Sequence, residues 1–148
     1  MNEFELINKY FSKLSKKSIG SLKLNDDVFF DKNNKLVVSV DTYNEGNHFL
    51  NFKNPDLVIK KVIRSSISDL ICKGVKPKYY FLSGSGNKKN FTKNNLNKIN
   101  KSLKEEHKKY NLILGGGDTV YSNKLSFTVT SIGFSKKIIY RNKSIKND

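Results

Sequence analysis

An apolar helical stripe that carries its own start and stop signals constrains this chain more than anything else in it. Asn54 stands as an N-cap, Pro55 takes the first helical position, and Gly74 supplies the stop after about Lys73. Between them Leu57, Ile59, Val62, Ile63, Ile67, Leu70 and Ile71 fall at helical spacing. Such a helix must bury its stripe against a second layer, and strand signals on both sides of it supply one. Val28-Phe29-Phe30, a turn over Asp31 to Lys35, and Leu36 to Val40 read as a hairpin whose second strand ends at Asp41. A strand at about Lys78 to Ser83 follows the helix, and then a Gly84-Ser85-Gly86-Asn87 loop. Thr92 can cap a further helix with Leu96, Ile99 and Leu103 inward, and Leu112 to Leu114 and Leu125 to Gly133 are the remaining strands. Phe4, Ile7, Phe11 and Leu14 predict an amphipathic helix over 3–15 docked on the core, with a polar stretch to about Lys23. The order implies an α+β fold, a mainly antiparallel sheet covered by helices on one face.

With 148 residues and 36% hydrophobic content, the chain has room for one domain with a modest core. The formal net charge of +15 raises nucleic acid as a partner, because clustered cations gain affinity by releasing counterions. These cations are almost all lysines, scattered among Asn and Ile, with only Arg64 and Arg141 as arginines, a mixture that coding bias also produces. Cys72, the one cysteine, excludes an internal disulfide and a Cys-based zinc cluster and reads as a buried helix residue in a reducing cytoplasm. The chain starts on an acidic amphipathic segment, and no apolar run approaches the ~18 residues of a membrane span, so a soluble cytoplasmic protein is expected.

Against this lysine background, carboxylates sit at the ends of apolar segments. Asp69 falls in the last turn of the capped helix, where the negative end of the macrodipole disfavours it by about 0.3–1 kcal/mol unless a cation is near. A solvated position or a salt bridge to Lys73 at i+4 explains it as readily as a ligand does. Ser65, Ser66 and Ser68 make that turn small and polar, suited to close approach of a ligand or a strand. Asp41 ends the hairpin, and Asp118 follows Gly115-Gly116-Gly117. A glycine run can aim amides at phosphate oxygens while the following carboxylate holds Mg²⁺. On spacing alone the run is equally a tight turn, since neither the P-loop nor the dinucleotide-binding pattern fits. Asp26-Asp27 reads as a solvated turn. His48, in Glu45-Gly46-Asn47-His48-Phe49, could reach a substrate, whereas His107 on a lysine-rich helix is expected at the surface. Two distant histidines do not make a zinc site, no Ser-His-Asp arrangement is legible, and the hard oxygen donors favour Mg²⁺.

Leu36 to Leu50, LVVSVDTYNEGNHFL, resembles the signature of the thiamine-monophosphate kinases, and Asn25-Asp26-Asp27 stands where that family has Gly-Asp-Asp. Ser68-Asp69-Leu70 with Gly74 and Pro77 is similar to its Leu-Ser-Asp-Leu helix and Gly-x-x-Pro exit. Gly116-Gly117-Asp118-Thr119 is similar to its Gly-Gly-Asp-Thr, and Arg141 to the arginine after its last strand. Order and spacing agree along nearly the whole chain. The resemblance implies the N-terminal domain of a superfamily shared with aminoimidazole ribonucleotide synthetase, which dimerises through its sheet. It implies ATP-dependent phosphorylation of thiamine monophosphate to thiamine diphosphate. Asp27, Ser39, Asp41, Asp69 and Asp118 are then Mg²⁺ ligands, Gly117, Asp118 and Arg141 contact ATP, and His48 faces the substrate. No catalytic nucleophile is implied, because joining two polyanions in line depends on positioning and charge neutralisation.

Three departures stand out. Val40 replaces a usual Thr, Asn25 a Gly, and Ser65 and Ser66 the small Ala/Asn residues before Ser-Asp-Leu. The family also has a C-terminal domain with carboxylate-glycine motifs of its own. Residues 1–148 therefore read as an N-terminal half, with Asn147-Asp148 where the family's inter-domain Gly-Asp begins. Other ATP-dependent enzymes of the superfamily are an alternative. A basic nucleic-acid-binding module is another, supported by charge and by Tyr79, Tyr80, Phe81 and Phe91, of which three are consecutive and cannot share one strand face.

Overall fold

The computed structural model describes residues 2–141; Asn147 and Asp148 lie outside them. Five strands form one sheet in the order β1-β2-β5-β3-β4: β1 is Phe29–Asp31, β2 Leu36–Asn44, β3 Pro77–Gly86, β4 Ile113–Tyr121 and β5 Ser126–Phe134. All neighbours pair antiparallel except β3 and β4, whose parallel pairing needs the crossover that α3, Lys93–Tyr110, provides. α2, Pro55–Cys72, lies against β2, β5 and β3, with α3 packed beside it, so the α+β expectation holds with one parallel edge pair.

One sheet face is buried under the helices. Val37, Ser39 and Tyr43 of β2, Tyr80 of β3 and Phe127, Val129 and Ser131 of β5 alternate onto it; Tyr43, Tyr80, Phe127 and Val129 meet Val58, Ile59, Val62, Ile63 and Ile67 of α2, while Val37 packs with Leu70. The helix is rotated slightly from the expected stripe. Leu57, Ile71 and Cys72 are exposed, while Val58 and Ser66 are buried. Ser66 is small enough to bring α2 close to β5, where its hydroxyl is 2.9 Å from that of Ser131, and Ser39 Oγ donates to the Ser66 carbonyl at 3.5 Å. Asn54 caps α2 with its carbonyl, which accepts from Leu57 and Val58, and Gly74 adopts φ +72° as the stop. Thr92 caps α3 through its hydroxyl, accepting from Asn95 N–H at 3.2 Å; Ile99 is buried there but Leu96 is exposed.

Other expectations shift. The N-terminal helix is a short α1, Glu3–Leu6, running into a π-helical turn over Ile7–Phe11, and Phe4, Phe11 and Leu14 are exposed instead of docked on the core. Residues 84–86 continue β3 where a loop was expected, because Gly84 and Gly86 lie under the Phe91 and Phe127 rings. The Gly115–Gly117 run is neither a turn nor a loop but the middle of edge strand β4, crossing a register shift opposite Tyr80 and Phe81. A Cβ on Gly117 would lie 1.8 Å from the Leu82 carbonyl oxygen, so strand packing alone requires glycine there. Gly117→Ala is expected to lower stability by about 1–3 kcal/mol, read as a shift in the urea midpoint, because a rigid backbone must move to admit the methyl. An unchanged midpoint would contradict that packing. His107 is half-buried instead of lying free at the surface: its Nε2 lies 2.6 Å from the hydroxyl of buried Tyr80. No helix among the described residues is long and apolar enough to cross a membrane.

Candidate functional site

Three carboxylates from three elements come close enough to influence one another electrostatically. Asp41 lies on β2 two residues past Ser39, on the helix-covered face. Asp69 is in the last turn of α2, one turn beyond Ser66. Asp27 ends the loop before β1. Asp41 is half-buried, and burial pushes its carboxyl above the usual range; the nearby Asp27 charge adds to this, while a hydrogen bond from Tyr43 Oη at 3.3 Å opposes it. Burial raises Asp69 further, to about 6, helped by repulsion from Asp41 and Asp27 and opposed by Lys73. The Tyr43 hydroxyl is pushed up to about 12 by burial and by Asp41 and Asp69. These shifts mark a concentration of negative charge that lacks its full complement of cations.

The cations present are attached elsewhere in the group. Lys73 does not pair with Asp69; its ammonium sits 2.5 Å from Asp26 and 3.6 Å from Asp27. Asp26 is accordingly a buried hub and no solvated turn. Burial pushes its carboxyl up, but Lys73 and the N–H groups of Arg141 and Asp27 outweigh that and hold it below the usual range. The Arg141 guanidinium is 3.2 Å from Asp27. His48 follows β2 in a turn beside Asp41; its Nδ1 accepts the Asn44 N–H at 2.9 Å, its carbonyl accepts from the Lys61 ammonium, and its ring meets Tyr43 edge-on. Beside the Asp26-Asp27 loop a cavity of about 950 Å³ opens, with Lys16, Lys23, Asn25 and Tyr140 in its wall.

Asp118 does not join this group. It pairs in register with Ser83, Thr128 and Thr42 across four strands, roughly 14 Å from Thr42 at ordinary strand spacing, on the face without helices. Gly117 lies beside it. Val40 also points to that open face, so the replaced Thr would not have presented its side chain to Asp41. The sequence reading missed Asp26 and Lys73 as partners and Tyr43 as a donor to Asp41. The signal for Tyr43 was present, since it lies two residues from Asp41 on one strand face.

Among the described residues no three acidic, histidine or cysteine side chains gather tightly enough to hold a metal ion by themselves. An all-oxygen set with unneutralised charge nevertheless fits a hard cation that takes its remaining ligands from phosphate and water. The sign of the pH dependence follows from Asp69. Its folded pKa is raised, so its favourable contribution is present below about pH 4 and is lost as pH rises through about 6. Without a cation at pH 7.5, Asp69→Asn should therefore be more stable than the parent by about 1–2 kcal/mol after allowance for solvent screening. Thermal melts of both proteins in chelator check this, and a destabilised variant would contradict it.

Residues 24–135 match the family model "AIR synthase related protein, N-terminal domain". The chain is 38% identical over 141 residues to a thiamine-monophosphate kinase from Buchnera aphidicola subsp. Acyrthosiphon pisum, and 35% identical over 142 residues to one from Haemophilus influenzae. Both alignments cover 93% of this chain, but only 43% and 42% of those proteins. The solved thiamine monophosphate kinase of Aquifex aeolicus superposes with TM-score 0.81 at 26% identity, covering 97% of this chain and 46% of that one. A ThiL structure complexed with AMPPCP and TMP superposes equally well, at 27% identity, over 97% of this chain and 45% of its own. A fold of this topology and a family match spanning most of the chain agree: this protein belongs to the AIR synthase related family, as an N-terminal domain similar to that of the thiamine-monophosphate kinases.

Proposed function

We propose that the chain supplies the nucleotide- and metal-binding half of an enzyme that phosphorylates thiamine monophosphate to thiamine diphosphate with ATP. The observation that carries this reading is the placing of Asp41 on β2 and Asp69 on α2, beyond the Ser39–Ser66 contact of those two elements and both within the influence of Asp27, in a chain similar to part of a protein complexed with AMPPCP, an ATP analogue, and TMP. Asp27, Asp41 and Asp69 would hold Mg²⁺, with Ser39, two residues before Asp41 on the same strand face, as a further oxygen donor. Bound there, Mg²⁺ would neutralise phosphate oxygens and hold the transferring group in line. Tyr43 orients Asp41. Lys16 and Lys23 line a cavity suited to a phosphorylated ligand, and His48, close to Asp41, would face the substrate. The acceptor is itself a phosphate, already ionised at neutral pH, so the chain needs no general base to activate it. Gly117, Asp118 and Arg141 contact nucleotide in this reading, Asp118 from the far face of the sheet and therefore only in a larger assembly.

That assembly is a homodimer through the open sheet face, where Phe29, Val40, Phe81, Ile113 and Phe134 are exposed together. A contiguous apolar sheet face calls for a cover. A cytoplasmic location fits an ATP-using enzyme whose one cysteine is free and exposed. The nucleic-acid alternative loses two of its four aromatics, since Tyr80 is buried and Phe91 packs on Phe127. Calorimetric titration tests the choice. Thiamine monophosphate should bind in the presence of Mg²⁺-AMPPCP at physiological salt, while DNA binding should collapse with salt between about 50 and 200 mM. Salt-resistant DNA binding without thiamine monophosphate binding would reverse the assignment.

A further inference from the structure

Lys73 caps the end of α2, and its side chain is only 5% exposed, as is that of its partner Asp26. Its Nζ lies 2.5 Å from Asp26 Oδ1 and 3.6 Å from Asp27 Oδ2, while Arg141 faces the other Asp27 oxygen, Oδ1, at 3.2 Å. Asp26 also accepts the Asp27 N–H at 2.8 Å and the Arg141 N–H at 3.2 Å. The Lys73 carbonyl accepts the Ile139 N–H at 3.0 Å. Three segments remote in sequence, the 25–27 loop, the end of α2 and the exit from β5, thus meet on one lysine. Stability alone is a poor reason for this, because a buried ion pair contributes little compared with an apolar pair of similar volume. What the arrangement does fix is the place and rotamer of the Asp27 carboxylate, held from one side by Lys73 and from the other by Arg141.

We propose that Lys73 is a positioning residue: by clamping Asp26 and one oxygen of Asp27, it sets the Asp27 carboxylate where it can share a cation with Asp41 and Asp69. The inference rests on the cation–nucleotide reading of the site. Residues that orient a metal's ligands typically change its affinity about 10–100-fold when removed. The test is Mn²⁺ binding by the full chain with AMPPCP, followed by electron paramagnetic resonance, alongside thermal melts. Lys73→Met should lose both stability and Mn²⁺ affinity, since it leaves Asp26 buried and unpaired. Asp26→Asn combined with Lys73→Met should recover the melting temperature but not the affinity, because the turn is relieved while Asp27 stays unclamped. Lys73→Arg should keep the affinity close to that of the parent. Affinity that returns in step with the melting temperature in the double variant would overturn the proposal, since the role would then be structural. If the double variant does not fold, Lys73→Arg decides: an affinity that falls only in step with its melting temperature overturns the proposal, since the role would then be structural. Absence of Mn²⁺-dependent binding in the parent chain would instead remove the cation reading and this inference with it, whereas tight binding by the parent and unchanged binding by a folded double variant removes only the role of Lys73.

Discussion

Arg64→Ala is expected to destabilise the fold clearly, at the low end of the penalty for breaking a buried pair. Glu106 on α3 is 1% exposed, and Arg64 on α2 grips both its oxygens, Nε to Oε2 at 2.8 Å and Nη2 to Oε1 at 2.7 Å. Removing the arginine leaves a carboxylate inside the α2–α3 contact with no other ion-pair partner among the described residues. The low end applies because the Arg64 side chain is 44% exposed, so water can reach part of the space it leaves. Replacing both residues together, Arg64→Met with Glu106→Leu, should restore most of the stability, because the desolvation penalty leaves with the charges. Urea denaturation of the parent, the single and the double variant measures this. A single variant within about 1 kcal/mol of the parent would mean that the clamp is a surface pair in solution.

The second large effect is on catalysis. Residues 1–148 by themselves should form thiamine diphosphate at least about 100-fold more slowly than a full-length relative, since even a 1 Å error in placing the reactants has that cost. The chain matches only 43% of the Buchnera protein's length, and Asp118 is far from the other acids within one copy. Turnover by the purified chain comparable to that of the full-length relative would show that the site is complete within these residues.

Much of the fold was legible because its signals are local. The α2 helix announces itself through Asn54-Pro55 and Gly74, α3 through Thr92, and the core strands through apolar runs. What periodicity could not give was rotation and extent. Leu57 and Ile71 sit at acceptable helical spacing, yet Ser66 takes the face toward β5, because only a small residue allows that close approach. The glycines of β3 and β4 imitate loops in sequence and turn out to be strand residues under aromatic rings and against the neighbouring backbone. Of the site, Asp41 and Asp69 could be picked out as carboxylates ending apolar segments, and the structure brings them together with Asp27. Asp26 and Lys73 could not, because their partnership joins loop, helix end and β5 exit across long stretches of chain. The N-terminal stripe misled in the opposite sense: Phe4, Phe11 and Leu14 have the pattern of a packed helix but are exposed among the described residues.

The central claim is that the three coupled acids bind nucleotide through a cation. The most direct measurement is the affinity of the chain for AMPPCP with Mg²⁺ and with chelator, repeated on Asp41→Asn. Loss of one charge-assisted contact of about 1.5–3 kcal/mol corresponds to tenfold or more in affinity. Mg²⁺ should therefore tighten binding by the parent chain at least about tenfold, and Asp41→Asn should lose most of that gain while melting no lower than the parent. Equal affinity with and without Mg²⁺ in the parent chain would contradict the account.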